Sequence, residues 1–137
     1  MPTHAMARRL RQVAALLVLV VAGVHFQQYV DFMSEVPTVG VLFLLNAAGG
    51  AGLLLAMLGG DRVIALLAMI GSLGLAIGSL VSIVIALNGS FLGVALDGSF
   101  FGYQETTLRL PIVIAVVAEV LLILVLALPL VRNIRRG

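Results

Sequence analysis

The 137-residue chain contains no cysteine, no tryptophan and no lysine, and only 10% of its residues are charged. Without cysteine it cannot form disulfides, thiolate zinc sites, Cys-x-x-Cys redox pairs or thiol nucleophiles. The shortage of charge excludes a soluble globular domain, because soluble chains carry ~25% charged residues. What the sequence has instead is 62% apolar residues and 15 glycines. This composition is typical of an integral membrane protein.

Four apolar stretches are long enough to cross the ~30 Å hydrocarbon core of a bilayer, which takes about 20 helical residues. They cover residues 10–32, 36–58, 63–87 and 110–131. We therefore predict an all-α fold, an integral membrane four-helix bundle. One transmembrane domain accounts for residues 1–137, with a long outer loop at residues 88–109.

The arginines predict the orientation of the bundle, since basic residues are retained on the cytoplasmic side of a membrane. Most of them precede the first span, lie in the turn after the second span, or follow the fourth span: Arg8, Arg9, Arg11, Arg62, Arg132, Arg135 and Arg136. Arg109 lies on the opposite side. We expect a multi-pass protein of the cell inner membrane with both termini cytoplasmic. The net charge of +2 then reflects topology, and no nucleic acid partner is needed.

The first span also has features of a cleaved secretory signal. Three arginines precede twelve apolar residues, and Val20-Val21-Ala22 could be a cleavage site. The amphipathic continuation through Tyr29 makes the segment long enough to span the membrane. We therefore treat it as a retained span.

The outer loop is long and carries several apolar residues, among them Phe100, Phe101 and Tyr103. Loops of this length in compact proteins are often functional or mobile. Aromatic side chains are favoured where membrane meets water. The sequence therefore predicts that residues 88–109 lie on the mouth of the bundle as a lid.

Each span contributes one polar side chain at a similar depth. Counting inward at ~1.5 Å per residue puts His25 at ~10 Å, Ser79 at ~12 Å, and Asn46 and Glu119 at ~13 Å below the outer edge. Polar groups facing hydrocarbon are costly unless they are paired or hydrated. We predict that all four turn inward to form one cluster. Tyr29, four residues after His25, is expected to share its face.

The chemistry of this cluster stays open at the level of sequence. Gln28 could contribute to it, and Asp31, Glu35, Asp97, Tyr103, Gln104 and Glu105 could lie above it. The cluster could be a buried network that fixes the register of the helices, or it could be a ligand or proton site. His25 is the single intramembrane histidine, so we expect no metal or haem site. No catalytic residue and no cofactor is indicated.

Two further features each have a structural and a functional interpretation. Glu105 and Arg109 are four residues apart at the start of the last helix, where they can form an ion pair. Arg109 could instead neutralise an anionic substrate or lipid head group. Gly74-x-x-x-Gly78 provides the small residues that membrane helices use to approach closely, either inside the bundle or between two copies of the chain.

Three segments carry a resemblance to known proteins: His25-Phe26-Gln27-Gln28-Tyr29, the stretch from Val36 to Asn46, and Phe101-Gly102-Tyr103-Gln104-Glu105, followed by Glu119. The chain resembles a group of uncharacterised small bacterial four-helix membrane proteins. In size and layout it is also similar to DoxX-like proteins, some of which are linked to redox or sulfur metabolism. Neither resemblance implies a catalytic residue.

The hypothesis that follows is a pocket open toward the outer face. It would hold a small or lipid-like ligand, a quinone being one candidate, with His25, Tyr29 and Glu119 as hydrogen-bonding or proton-exchanging groups. Asn46, Ser79, Glu105 and Arg109 complete the candidate set. The alternative is a non-catalytic accessory subunit that associates with a membrane partner or with copies of itself. An enzyme is the third alternative, for which the sequence indicates no reaction.

Overall fold

The computed structural model describes residues 4–59, 61–88, 90–91, 94–95 and 100–134. Its helices are α1 (His4–Gln28), α2 (Val39–Gly59), α3 (Arg62–Asn88) and α4 (Leu110–Ile134). A π-helical turn, Tyr29–Met33, extends α1, and the short strands β1 (Ser90–Phe91) and β2 (Val94–Ala95) pair antiparallel. All four helices contain a stretch long and apolar enough to cross a membrane. The predicted all-α four-helix fold is confirmed.

The helices follow one another around a ring. Helix α1 packs against α2 and α4, and α3 packs against the same two neighbours. The helices α1 and α3 touch only slightly across the diagonal. This order places the α1–α2 connection and residues 100–109 at one end, which we call the loop end. The start of α1, the end of α4, the end of α2 and the start of α3 lie at the other, which we call the terminal end.

The half of the bundle near the terminal end has a dense apolar core. Ala14, Val18, Met57 and Leu122 are almost completely buried there. The outer surface is also apolar, with large leucine, isoleucine, valine and phenylalanine side chains exposed on every helix. Apolar surface on this scale is unfavourable in water and favourable in hydrocarbon. The exposed surface therefore fits a lipid environment.

Two glycines allow close approach of neighbouring helices. A Cβ added at Gly50 of α2 would lie 2.9 Å from the Cβ of Ala22 in α1. A Cβ added at Gly71 of α3 would lie 2.9 Å from the side chain of Leu53 in α2. At Gly74 and Gly78, by contrast, an added Cβ would meet no heavy atom of the described residues within 4 Å. The described residues therefore show no close helix contact at Gly74 or Gly78.

The connection from α1 to α2 is tight. Ser34 donates its N–H to the Tyr29 carbonyl (2.8 Å) in the π-helical pattern. Val39 donates to the Pro37 carbonyl (2.7 Å) around Thr38, which has a φ of 65°. A Cβ on Gly40 would overlap the Met33 carbonyl oxygen. Because backbone lies against backbone here, only glycine fits at position 40.

Gly40→Ala should therefore destabilise the bundle, by about 1–3 kcal/mol, the typical cost of overpacking a close contact. Gly52→Ala is the matched control, because Gly52 lies on the same helix and has open space around it. We expect the control to unfold like the parent in an SDS titration followed by circular dichroism. Equal stability of the two variants would contradict the close contact at Gly40.

Candidate functional site

A cavity of about 430 Å³ lies among the four helices in the half of the bundle near the loop end. This volume is within the range of small-molecule sites. Most of the lining is apolar. The polar side chains that line it are His25, Gln28, Asn46, Ser79, Ser82, Tyr103, Glu105, Arg109 and Glu119. The cavity thus brings together polar residues from all four spans.

His25 is held in a defined orientation. Its Nδ1 lies 2.9 Å from the Val21 carbonyl oxygen, which can only accept a hydrogen bond, so Nδ1 carries the hydrogen. In a neutral imidazole Nε2 is then an acceptor, and the Ser79 hydroxyl, 3.2 Å away, donates to it. The imidazole therefore couples α1 to α3 across the bundle.

Glu119 is 1% exposed and belongs to the same group. Its Oε1 lies 3.9 Å from His25 Nε2, which is too far for a direct hydrogen bond. This oxygen has no hydrogen-bond partner within the described ranges. The carboxyl group thus approaches the imidazole but leaves one oxygen unsatisfied at the cavity.

Gln28 is the most completely unsatisfied side chain of the site. It is 2% exposed, and neither Nε2 nor Oε1 has a partner among the residues that the structure describes. Asn46 Oδ1 is unpartnered in the same sense. A buried polar group left without a hydrogen bond costs about 1–3 kcal/mol. The orphaned atoms of Gln28, Asn46 and Glu119 all belong to residues that line the one cavity.

A polar cluster closes the cavity at the loop end. Tyr103 Oη donates to Glu105 Oε2 (2.7 Å), and Arg109 Nη2 donates to the same oxygen (2.9 Å). The Glu105 N–H donates to the Ala86 carbonyl (3.0 Å), which attaches the cluster to the last turn of α3. The Arg109 guanidinium also lies 4.4 Å from the centre of the Phe32 ring. We call Tyr103, Glu105 and Arg109 the polar cap.

A tight turn delivers Tyr103 to the polar cap. Phe100 and Tyr103 exchange both backbone hydrogen bonds (2.8 and 2.9 Å). Between them, Phe101 and Gly102 have φ angles of 50° and 80°, as in a type I′ hairpin turn. Glycine adopts such angles readily and phenylalanine does so rarely. The two ends of this turn, Phe100 and Tyr103, both line the cavity.

The polar cap perturbs both of its acidic groups. Burial first, and then the neighbouring Glu105 carboxylate, raise the pKa of Tyr103 to about 12. Burial alone would raise the pKa of Glu105, but the hydrogen bonds from Tyr103 and Arg109 outweigh it and lower that pKa below its usual value. The carboxylate is therefore the stable form, and it neutralises Arg109 within the chain.

The cavity includes most of the candidate residues and leaves out Tyr29. Successive helical residues are about 100° apart, and Val24 and Gln28, on one side of His25, line the cavity. Tyr29 lies on the other side of His25, is half-buried, and is not part of the lining. Gln28 was expected to be a possible contributor to the cluster, and it lines the cavity although it was outside the candidate ligand-binding set. Tyr103 was missing as well, because its loop position fixed no direction.

Other polar residues near the loop end do not join the site. Asp31, Glu35 and Gln104 are exposed, and Asp97 lies outside the described residues. The predicted lid is described only in part, since residues 89, 92–93 and 96–99 are also outside the described ranges. Within the described ranges, no group of three His, Asp or Glu side chains could hold a metal ion.

Comparison of the chain with protein-family models, curated proteins and solved structures gave no match. Function is therefore inferred below from the cavity and its polar groups.

The lowered pKa of Glu105 makes the stability of the polar cap depend on pH. The contribution of the Glu105 carboxylate to the free energy of unfolding is fully present above the ordinary glutamate pKa of about 4.3. It is lost as pH falls through the lowered pKa of the folded state. In Glu105→Gln this acid-dependent loss should be smaller than in the parent. Thermal unfolding in detergent between about pH 6 and pH 3 measures the difference. Parallel pH curves for the two proteins would contradict a charged Glu105 in the cap.

Proposed function

We propose that the chain is a small multi-pass membrane protein that holds a small or lipid-like ligand in the cavity. The head group of the ligand contacts Gln28 and Asn46, with His25, Ser79 and Glu119 beside them. A quinone or its reduced quinol is one candidate ligand. The observation that carries the proposal is the concentration of unpartnered, buried polar atoms at this one cavity.

The state of these atoms favours a ligand over a network that only fixes helix register. A structural polar network stabilises a fold when its members satisfy one another. Here the Gln28 amide has neither its donor nor its acceptor used by the described chain. A ligand with a polar head group would satisfy these atoms and remove their desolvation cost.

The polar cap gives Arg109 and Glu105 a supporting role in this proposal. Their charges neutralise each other at 2.9 Å, so Arg109 is occupied by a partner within the chain. The cap forms one wall of the cavity and is attached to α3 at Ala86. We therefore assign Arg109 to closing the site rather than to binding an anionic head group.

Replacing Gln28 separates the two interpretations of the polar layer. Gln28→Met keeps the volume of the side chain and removes an unsatisfied amide, so the ligand-free bundle should gain about 1–3 kcal/mol of stability. The same variant should bind a decyl-substituted benzoquinone or its quinol about tenfold more weakly. Native mass spectrometry in mild detergent measures binding, and SDS titration measures stability.

Gln27→Met is the matched control, because Gln27 is an exposed neighbour on α1 that does not line the cavity. It should leave both binding and stability as in the parent. A loss of stability in Gln28→Met, with unchanged binding of the quinone and the quinol, would favour the structural network and end the proposal.

The distribution of arginines supports an orientation with the loop end outside the cell and both termini in the cytoplasm. A green fluorescent protein fused to the C-terminus should then fluoresce, and an alkaline phosphatase fused at the same position should be inactive. These reporters fold in opposite compartments. An active phosphatase fusion with a dark fluorescent fusion would reverse the assignment of the inner and outer faces.

A non-catalytic accessory subunit is the second candidate. It is favoured by the open space at Gly74 and Gly78 of α3, which a helix of a partner protein could occupy. Crosslinking in intact membranes distinguishes this candidate, since it requires capture of a second protein or a second copy of the chain. Membership in the uncharacterised small four-helix group or among DoxX-like proteins remains a proposal.

A further inference from the structure

The cavity has a side opening between α2 and α3. Gly74 and Gly78 of α3 line the cavity and are exposed at the same time. On α2, Leu42 and Leu45 likewise line the cavity and are 38% and 61% exposed. A residue that has both properties lies at the edge of an opening. Because the outer surface is apolar, this opening faces the hydrocarbon.

On the side of this opening nearer the terminal end, the two helices are in contact. Leu53 packs against Gly71, and Leu75 lies 3.6 Å from where a Cβ on Gly49 would be. One turn further toward the loop end, the space beside Gly78 is empty of the described residues. Glycine in a helix interior costs about 1 kcal/mol relative to alanine, and no neighbour among the described residues requires it at positions 74 and 78.

The unpartnered polar atoms restrict the head group. They comprise three oxygens, on Gln28, Asn46 and Glu119, and one amide nitrogen on Gln28. A hydroxyl group both donates and accepts a hydrogen bond, so it can satisfy an amide or a carboxyl in either role. An anionic head group would lie beside the acidic side chain of Glu119, which disfavours it. Arg109, the arginine of the site, is already paired with Glu105.

We propose that the ligand is a single-chain amphiphile with an uncharged, hydroxyl-bearing head group. The head lies against Gln28, Asn46 and Glu119, and the apolar chain leaves the bundle between Gly74 and Gly78 of α3 and the leucines of α2. This inference rests on the proposed function and adds the class of ligand and its route. Gly74 and Gly78 keep the side opening free for the apolar chain of the ligand.

The test compares two phenols with the same hydroxyl group, 4-methylphenol and 4-decylphenol. Gly74→Leu or Gly78→Leu should weaken binding of 4-decylphenol about tenfold, because the new side chain displaces two or more buried methylenes of the ligand. The affinity for 4-methylphenol should stay within about twofold of that of the parent. Gly23→Leu and Gly52→Leu are the controls, because both glycines are exposed, have open space and do not line the cavity. Titrations followed by native mass spectrometry give the ratio of the dissociation constants of two variants for the same phenol. Partitioning of the phenol into detergent affects both constants equally and cancels in this ratio.

A photolabelling experiment tests the route without any substitution. A 4-alkylphenol with a diazirine at the end of a ten-carbon chain should label α2 and α3 beside the opening, and labelling confined to α1 or α4 would overturn the proposal. Decanoate and decylamine test the head group, and tighter binding of either ion than of 4-decylphenol would overturn the assignment of a hydroxyl.

The possible failures are distinguishable. If neither phenol binds the parent chain but the decyl-substituted benzoquinone does, this inference fails and the proposed function stands; if none of them binds, both fail. If both phenols bind and Gly74→Leu behaves like Gly52→Leu, the cavity remains a binding site and the route between α2 and α3 is wrong. If Gly74→Leu converts a dimer to a monomer with unchanged binding of 4-decylphenol, a second copy of the chain occupies the opening.

Discussion

Burial of polar groups in a bundle that has no water around it is the constraint on which this structure depends. Hydrocarbon offers no hydrogen bonds, so every amide, imidazole and carboxyl in the spans must find a partner inside the protein or in a bound molecule. His25 meets this requirement through Val21 and Ser79. Gln28 has no hydrogen-bond partner among the described residues, and Asn46 and Glu119 each leave one oxygen unpartnered there. The bundle is therefore divided into a satisfied apolar half and an unsatisfied polar half.

The two halves use glycine in different ways. Toward the terminal end, Gly50 and Gly71 let helices approach until side chains touch the backbone, and dispersion forces hold the bundle there. Toward the loop end, Gly74 and Gly78 border an open space. Packing in the first half keeps the ring of helices together, which lets the second half enclose a cavity without collapsing. The close packing and the proposed ligand site thus lie at different depths of the same helices.

The charged groups at the loop end act as a structural unit. Tyr103 and Arg109 both donate a hydrogen bond to the same carboxylate oxygen of Glu105. The backbone N–H of Glu105 donates to α3. With both charges satisfied internally, the cap covers the cavity without attracting ions to it. The opening between α2 and α3 is the route that we propose for a ligand that is itself dissolved in the bilayer.

The sequence by itself determined the four helices and the depth of their polar residues, because apolar length and residue spacing follow directly from the thickness of a bilayer. It also indicated the Glu105–Arg109 pair, which depends only on a separation of four residues. Only the tertiary structure decided that Gln28 rather than Tyr29 faces the cavity, since that depends on how α1 is rotated about its axis. Likewise, only packing decided which glycines touch a neighbour: a small residue permits close approach, but the neighbouring helix determines whether that space is filled.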